Sequence, residues 1–103
     1  MKVFLSHPMH NLTCERVHEI RQKAIDELIS VYGDNIEIID NYNHKDVPEN
    51  AGRLWHLGTS IRMMEDVDLV YFCDEWKDSN GCIVEHLICE QYYIPFRDTP
   101  FTK

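Results

Sequence analysis

The N-terminal third of the chain has an apolar strand pattern followed by an amphipathic helix pattern. Residues 3–5 form a continuous apolar run, typical of a strand buried on both faces of a parallel sheet, and Pro8 ends it. Residues 13–32 predict a helix, with Thr13 suited to its N-cap and Gly33 to its C-terminal stop. Its apolar residues recur at steps of three and four, as on one buried helix face: Val17, Ile20, Ala24 and Leu28.

The middle of the chain continues the alternation across a long polar segment. Residues 36–39 predict a second strand, and residues 40–52 predict an irregular loop because Asn, Asp, Pro and Gly are frequent there. Residues 54–66 predict a second helix. Its apolar stripe, which we expect to face the core, consists of Leu54, Leu57, Ile61 and Met64.

The C-terminal third completes the pattern of a single α/β domain over residues 1–103. Residues 67–73 predict a third strand, residues 81–92 a third helix and residues 94–96 a short edge strand. In the third helix we expect Val84, Leu87 and Ile88 to face the sheet. The alternation predicts a flavodoxin-like (Rossmann-like) three-layer sandwich with a parallel sheet of order 2-1-3-4.

The charge balance excludes two classes of partner. Among 103 residues, 10 are Lys or Arg and 18 are Asp or Glu, which gives a formal net charge of −8. An acidic chain is repelled by the phosphates of nucleic acids and by anionic lipids. We therefore expect neither a nucleic acid polymer nor a membrane as the main partner.

The cysteines and the first residues favour a cytoplasmic protein. No two cysteines have C-x-x-C spacing, and Cys73, Cys82 and Cys89 fall in segments with a buried pattern. We expect reduced thiols that act as small apolar side chains. The apolar run after Met1 is shorter than a signal-peptide core or a membrane span, which again favours a cytoplasmic location.

The predicted topology places a ligand site at the carboxyl ends of strands one and three, where the strand order reverses. Two loops and the start of the third helix meet there. The polar, aromatic and turn residues in these segments are Ser6, His7, Pro8, Met9, Trp76, Asp78, Ser79, Asn80 and Gly81. We expect these residues to contact a substrate.

Glu85 is the candidate catalytic residue because it lies in the first turns of the third helix, on the same flank as Cys82. The positive end of the helix dipole favours an ionised carboxylate at that position. Such a carboxylate can attack an electron-poor carbon and form a covalent intermediate. A glutamate near a helix N-terminus is also common without any catalytic role, and spacing alone leaves both interpretations open.

Several neighbours of Glu85 have two interpretations as well. Asp78 and Asn80 are suited either to capping the third helix or to binding sugar hydroxyls. Gly81 is either a turn residue or a place where backbone amides approach a ligand. Trp76 lies in a polar turn, outside any core pattern, which favours stacking on a planar base.

Other types of chemistry lack their motifs. The six histidines, which include His7, His10 and His86, are not accompanied by an H-E-x-x-H or C-x-x-C ligand set, so we expect no metal. The chain has no G-x-S-x-G, no G-x-G-x-x-G and no Walker A sequence. We expect no cofactor.

Three stretches carry a family resemblance that spans most of the chain. They are Lys2-Val-Phe-Leu-Ser-His-Pro-Met, Leu57-Gly-Thr-Ser-Ile-Arg-Met-Met-Glu-Asp-Val-Asp-Leu-Val-Tyr-Phe, and Asp78-Ser-Asn-Gly-Cys-Ile-Val-Glu-His followed by Tyr93-Ile-Pro. With these motifs the chain resembles the nucleoside 2-deoxyribosyltransferase-like superfamily, and most closely a small branch found in bacteria and their phages.

The resemblance implies specific roles. Glu85 matches the nucleophile, Ser60 matches a substrate-contacting position, and Asp78 or Ser79 matches an acidic position that binds sugar hydroxyls. Residues 6–9 would form the floor of the sugar or phosphate pocket. One departure is Phe4, which stands where transferases of the family commonly have a tyrosine that orients the nucleophile.

The leading hypothesis is therefore an enzyme that acts on the N-glycosidic bond of a (deoxy)nucleoside or its monophosphate, by deoxyribosyl transfer or hydrolysis with a retaining mechanism. The alternatives are a module that binds a nucleotide-like metabolite or signal without turnover, and an NAD-cleaving glycohydrolase. The resemblance also implies a homo-oligomer.

Overall fold

The computed structural model describes residues 1–8, 12–39 and 47–98. It contains four strands, three α-helices and two short 3₁₀ turns, at Met64–Asp66 and Trp76–Asp78. In chain order the longer elements are β1 (Lys2–Ser6), α1 (Cys14–Tyr32), β2 (Glu37–Ile39), α2 (Arg53–Met63), β3 (Leu69–Phe72), α3 (Asn80–Tyr92) and β4 (Phe96–Asp98).

The four strands form one sheet of order β2-β1-β3-β4, and every neighbouring pair is parallel. In the central pair, Val3 lies opposite Leu69 and Ser6 lies opposite Phe72. The predicted flavodoxin-like topology with order 2-1-3-4 is confirmed. The carboxyl ends of β1 and β3 therefore lie side by side at the point where the strand order reverses.

Alternation along β1 and β3 divides the core into two layers. Helix α1 covers one layer, in which Leu5 and Tyr71 pack against Ile20 and Leu28. The opposite layer contains Phe4, Val70, Phe72, Met64 and Cys89. Ser6 alternates with Leu5 and follows the same direction as Phe4, so its hydroxyl reaches α3.

Helix α1 begins and ends as predicted. The Thr13 hydroxyl accepts a hydrogen bond from the Arg16 backbone N–H at 3.1 Å. At the other end, Gly33 has φ of +82°, a region that glycine adopts without strain, and its N–H donates to the Ile29 carbonyl at 2.8 Å. The four apolar positions that periodicity assigned to the core are all buried.

The predicted inward face of α3 is wrong at two positions. Val84 and Leu87 are exposed, whereas Cys82, Glu85 and Cys89 are buried, and Ile88 is half-buried against the second layer. The small cysteines let α3 approach the sheet closely on the face that also carries Glu85. Two of the three apolar positions that periodicity assigned to the core are therefore exposed.

The second helix and the strand bounds also differ from the prediction. Leu54 is 81% exposed instead of facing the core, whereas Ser60 is buried. Strand β4 begins at Phe96, the last residue of the predicted range 94–96. Pro95 has no N–H and contributes only its carbonyl, which accepts a hydrogen bond from the Val70 N–H.

All four cysteines are free thiols, of which Cys14 is exposed and the other three are buried. Within the described residues, no helix combines the length and apolar character needed to cross a bilayer.

Candidate functional site

The centre of the site is a hydrogen bond between the last residue of β1 and the second turn of α3. The Ser6 hydroxyl donates to Oε1 of Glu85 at 2.6 Å, and the two residues are 79 positions apart in the chain. Ser6 is fully buried and Glu85 is 4% exposed. The predicted convergence of the first loop with the third helix is thus realised as a direct contact.

Burial controls the ionisation of Glu85. Loss of solvent raises the pKa of this carboxyl to about 7, and the Ser6 hydrogen bond opposes that change by stabilising the ionised form. Burial therefore shifts this pKa in the direction opposite to the one expected from the helix N-terminus. Near neutral pH the carboxyl is therefore present in both forms, and a modest change of surroundings shifts the balance.

Cys82 is the second buried group beside Ser6. Burial raises the pKa of its thiol to about 11, although hydrogen bonds with the Ser6 and Ser79 side chains lower it. At neutral pH Cys82 is a thiol, which is a poor nucleophile. Ser6 therefore has two polar neighbours, of which only Glu85 is a candidate for attack on a substrate.

Ser6 also supplies a hydroxyl in place of the tyrosine hydroxyl that Phe4 lacks. Phe4 is fully buried in the second core layer, and its ring has no hydroxyl with which to orient a carboxylate. Ser6 lies two residues further along the same strand face and donates to Glu85 instead. Glu85 thus has an orienting hydroxyl from β1 without a tyrosine at position 4.

His7, the residue that follows β1, contacts α1. His7 is 4% exposed, and its Nε2 lies 3.2 Å from Nη1 of Arg21 on α1. Because an arginine N–H can only donate, Nε2 of His7 accepts in this contact. Nδ1 then carries the proton and faces the Pro8 carbonyl at 3.4 Å. Pro8 is buried. The predicted site residue Met9 lies outside the described residues, as does His10.

Helix α3 is capped by Ser79, and not by Asp78 or Asn80 as expected. The Ser79 hydroxyl accepts from the Cys82 backbone N–H at 3.4 Å, so Ser79 is the N-cap, whereas Asp78 and Asn80 are exposed. Both exposed side chains remain available for the predicted contacts with sugar hydroxyls.

Gly81, at the start of α3, lies close to helix α2. A Cβ added at Gly81 would meet only ordinary contacts, 3.9 Å from the Leu57 side chain of α2 and from the Ser79 hydroxyl. The fold itself therefore does not require glycine at this position. Ser60 follows Leu57 by about one helical turn and is buried, which places it on the side of α2 that faces α3.

Trp76 is half-buried and already has a stacking partner. Its ring is parallel to that of His86, with centroids 4.3 Å apart and an interplanar angle of 7°. The ring nitrogens of His86 face two carboxylates, Glu90 at 2.7 Å and Asp98 at 3.1 Å. Lys77 Nζ also lies over the Trp76 ring, 5.7 Å from its centroid, so a stacking base would compete with both His86 and Lys77.

Two salt bridges, which the sequence analysis did not predict, connect α1 to the loop after β3. Arg16 binds the Glu75 carboxylate, and Lys23 Nζ lies 2.5 Å from Asp74. Glu75 has φ of +67°, an uncommon conformation for a residue with a Cβ. Arg16 and Lys23 are seven residues apart and therefore share one side of α1, which is the signal that could have indicated a common partner.

The surroundings of the site are shallow. A depression of about 210 Å³ is lined by Asp74, Glu75, Trp76 and Lys77, and it does not include Glu85. Among the described residues, no group of three or more histidine, cysteine or acidic side chains is arranged to hold a metal ion.

Comparisons of the chain with protein-family models, with curated proteins and with solved structures found no match.

Proposed function

We propose that the chain is an N-glycosidic enzyme that acts on a (deoxy)nucleoside or a nucleoside monophosphate, with Glu85 as the nucleophile. The observation that supports this most is the buried pair of Ser6 and Glu85, at the sheet edge where parallel α/β folds bind their ligands. A carboxylate held by one hydroxyl, in surroundings that exclude water, is suited to covalent attack on a sugar carbon.

The proposed reaction has two displacements at one carbon. Ser6 engages Oε1, so we assign the attack on C1′ of the sugar to Oε2 of Glu85. The C–N bond breaks, its electron pair leaves with the base nitrogen, and that nitrogen takes a proton from water. Water or a second base then attacks C1′ and gives a proton to the hydroxide left by the first step. The ester C–O bond breaks, and the carboxylate is restored. Two inversions give net retention.

The pKa of Glu85 sets the expected pH dependence of this reaction. Only the ionised carboxylate can attack, and the pKa of about 7 means that its fraction rises as pH rises through neutrality. We therefore expect kcat/KM to increase with pH and to level off above pH 7. The exposed side chains of Asp78 and Asn80, at the start of α3, are proposed to bind the sugar.

The test is base release measured by chromatography. The protein is incubated separately with deoxynucleosides, with their monophosphates and with NAD, beside the variants Glu85→Gln and Glu90→Gln. Glu90 is an exposed carboxylate on the same helix and serves as the matched control. We expect release with a nucleoside or nucleotide, its loss in Glu85→Gln and its retention in Glu90→Gln. Release that survives in Glu85→Gln would contradict the proposal, and release from NAD alone would favour glycohydrolase activity.

One observation favours a second candidate, a module that binds a nucleotide-like metabolite without turnover. Glu85 is almost fully enclosed, and the depression beside the loop does not reach it. A binding module would show saturable binding of a nucleotide by calorimetry, no release of base, and unchanged affinity in Glu85→Gln.

A further inference from the structure

Cys82 lies between the two serines of the site, and the reaction proposed above gives it no role. It is 2% exposed and lies three residues before Glu85, so the two side chains share the buried face of α3. Its thiol is hydrogen-bonded to the side chains of Ser6 and Ser79. Most buried cysteines act as small apolar side chains, whereas this one is held by two hydroxyls.

The backbone fixes both ends of this arrangement. Ser79 is the N-cap of α3, and its Oγ accepts from the Cys82 backbone N–H at 3.4 Å. Ser6 is the last residue of β1, and its hydroxyl donates to Oε1 of Glu85 at 2.6 Å. A continuous chain of hydrogen-bonded side chains therefore connects the helix cap to the carboxyl, through Ser79, Cys82, Ser6 and Glu85.

The number of protons in this chain decides its direction. A hydroxyl and a thiol each carry one proton, whereas an ionised carboxylate can only accept. When Glu85 is charged, the Ser6 proton is committed to Oε1, and Ser6 can only accept from Cys82. Burial raises the pKa of the Cys82 thiol to about 11, so this thiol keeps its proton at neutral pH and can donate it. The protons then all point toward the carboxylate, and each hydrogen bond strengthens the next.

We propose that Cys82 is a positioning residue for Glu85, which acts through Ser6 by donating its S–H to the serine oxygen. This bond keeps the serine hydroxyl turned toward Oε1, and it leaves Oε2 as the oxygen that attacks the sugar. Cys82 takes no part in making or breaking bonds. This role rests on the nucleophilic function proposed for Glu85, but the state of the carboxyl can be measured without any substrate.

The other ionisable groups near Glu85 leave its charge balance unchanged at neutral pH. In the described part of the chain, the ionisable side chains that interact with Glu85 are the thiols of Cys82 and Cys89, both on its own helix. Burial raises the pKa of Cys89 to about 12, so that it too keeps its proton. From the sheet, the polar neighbour of the carboxyl is Ser6, and the ring nitrogens of the adjacent His86 face other carboxylates.

The test is the pKa of the Glu85 carboxyl, measured by NMR titration of protein isotopically labelled in its glutamate carboxyls, with no substrate present. The Glu85→Gln spectrum identifies the signal. Cys82→Ala removes the thiol, and Cys82→Ser puts back a hydrogen-bond donor of similar size. Cys89→Ala is the matched control, because Cys89 is a buried cysteine on the same helix face that packs in the second core layer. Circular dichroism checks that each variant is folded.

We expect Cys82→Ala to move the titration midpoint of Glu85 upward by about 0.5 pH unit, because Ser6 becomes a weaker donor to the ionised carboxylate. Cys82→Ser should return the midpoint toward that of the wild type, and Cys89→Ala should leave it in place. An unchanged or lower midpoint in Cys82→Ala would overturn the proposal. So would an equal rise in Cys89→Ala, or a midpoint in Cys82→Ser that stays with that of Cys82→Ala.

This proposal and the proposed function fail separately. If the wild-type chain releases base, the rise of kcat/KM with pH should move upward in Cys82→Ala together with the NMR midpoint, and a rise that stays in place would also overturn the positioning role. If the wild-type chain releases no base, the proposed function fails, whereas the NMR titration still decides whether Cys82 acts on the carboxyl.

Discussion

Helices α1 and α3 cover opposite faces of the same sheet, but they fill their buried faces with different chemistry. The buried residues of α1 are all apolar: Val17, Ile20, Ala24 and Leu28. Those of α3 are two cysteines and a glutamate. Apolar periodicity therefore identifies the buried face of α1 correctly and that of α3 incorrectly.

The difference shows what a hydrophobic pattern measures. It identifies the positions that carry apolar side chains, whereas packing decides which positions leave water. In α1 the two sets of positions coincide. In α3 the sheet covers a carboxyl that Ser6 satisfies, and the aliphatic side chains of Val84 and Leu87 are exposed.

The largest expected effect is on stability. Leu28→Ala should lower the free energy of unfolding by about 3 kcal/mol, because it leaves a cavity under α1. Leu87→Ala should cost only about 0.5 kcal/mol, because Leu87 is already 54% exposed. Urea denaturation of both variants checks this. Equal losses would mean that α3 buries its aliphatic side chains.

A similar effect is expected from the ionisation of Glu85. Its folded pKa of about 7 exceeds the ordinary value of 4.5, so the folded state holds this proton more tightly than the unfolded state does. The resulting stabilisation is complete below pH 4.5 and is lost as pH rises through 7. Relative to Glu85→Gln, the wild type should lose about 3 kcal/mol over that range. Parallel denaturation curves for the two proteins would contradict burial of the carboxyl.

A smaller effect is expected from Ser6→Ala. The variant loses the hydrogen bond that lowers the pKa of Glu85, so the rise of kcat/KM with pH should move to higher pH. Its unfolding free energy should fall by about 1 kcal/mol. Thr13→Ala is the control, since its hydroxyl caps α1 on the opposite face of the sheet. An unchanged pH profile in Ser6→Ala would remove Ser6 as the orienting residue.

The smallest effect compares the caps of the two helices. The Thr13 hydroxyl lies 3.1 Å from its backbone N–H partner, and the Ser79 hydroxyl lies 3.4 Å from its own. Thr13→Ala should cost about 1 kcal/mol, and Ser79→Ala should cost less because the longer bond is weaker. Thermal denaturation measures both losses, and a larger loss in Ser79→Ala would reverse the ranking.

Much of the fold is predictable from the sequence because its signals are local. The apolar strands, the cap at Thr13 and the stop at Gly33 each depend on a few neighbouring residues, and the right-handed crossover rule then orders the strands. Strand ends are less predictable. Strand β4 begins at Phe96 because pairing with β3 selects that register, and pairing is a property of the whole sheet.

The sequence predicts which residues form the candidate site, but it does not predict their geometry. Topology brings Ser6 and Glu85 to one edge of the sheet, but a separation of 79 residues carries no information about a 2.6 Å contact. The direction of the pKa shift of Glu85 also depends on how deeply α3 buries this carboxyl. The stacking of Trp76 on His86 is likewise set by packing between two separate segments.

The most direct test of the central claim is a search for the covalent intermediate. The protein is mixed with a deoxynucleoside or its monophosphate, quenched in acid within the first turnover, and analysed by intact-mass and peptide mass spectrometry. We predict a deoxyribosyl adduct on the peptide that contains Glu85, absent in Glu85→Gln. Base release without any adduct, continuing at the same rate in Glu85→Gln, would contradict the assignment of Glu85 as the nucleophile.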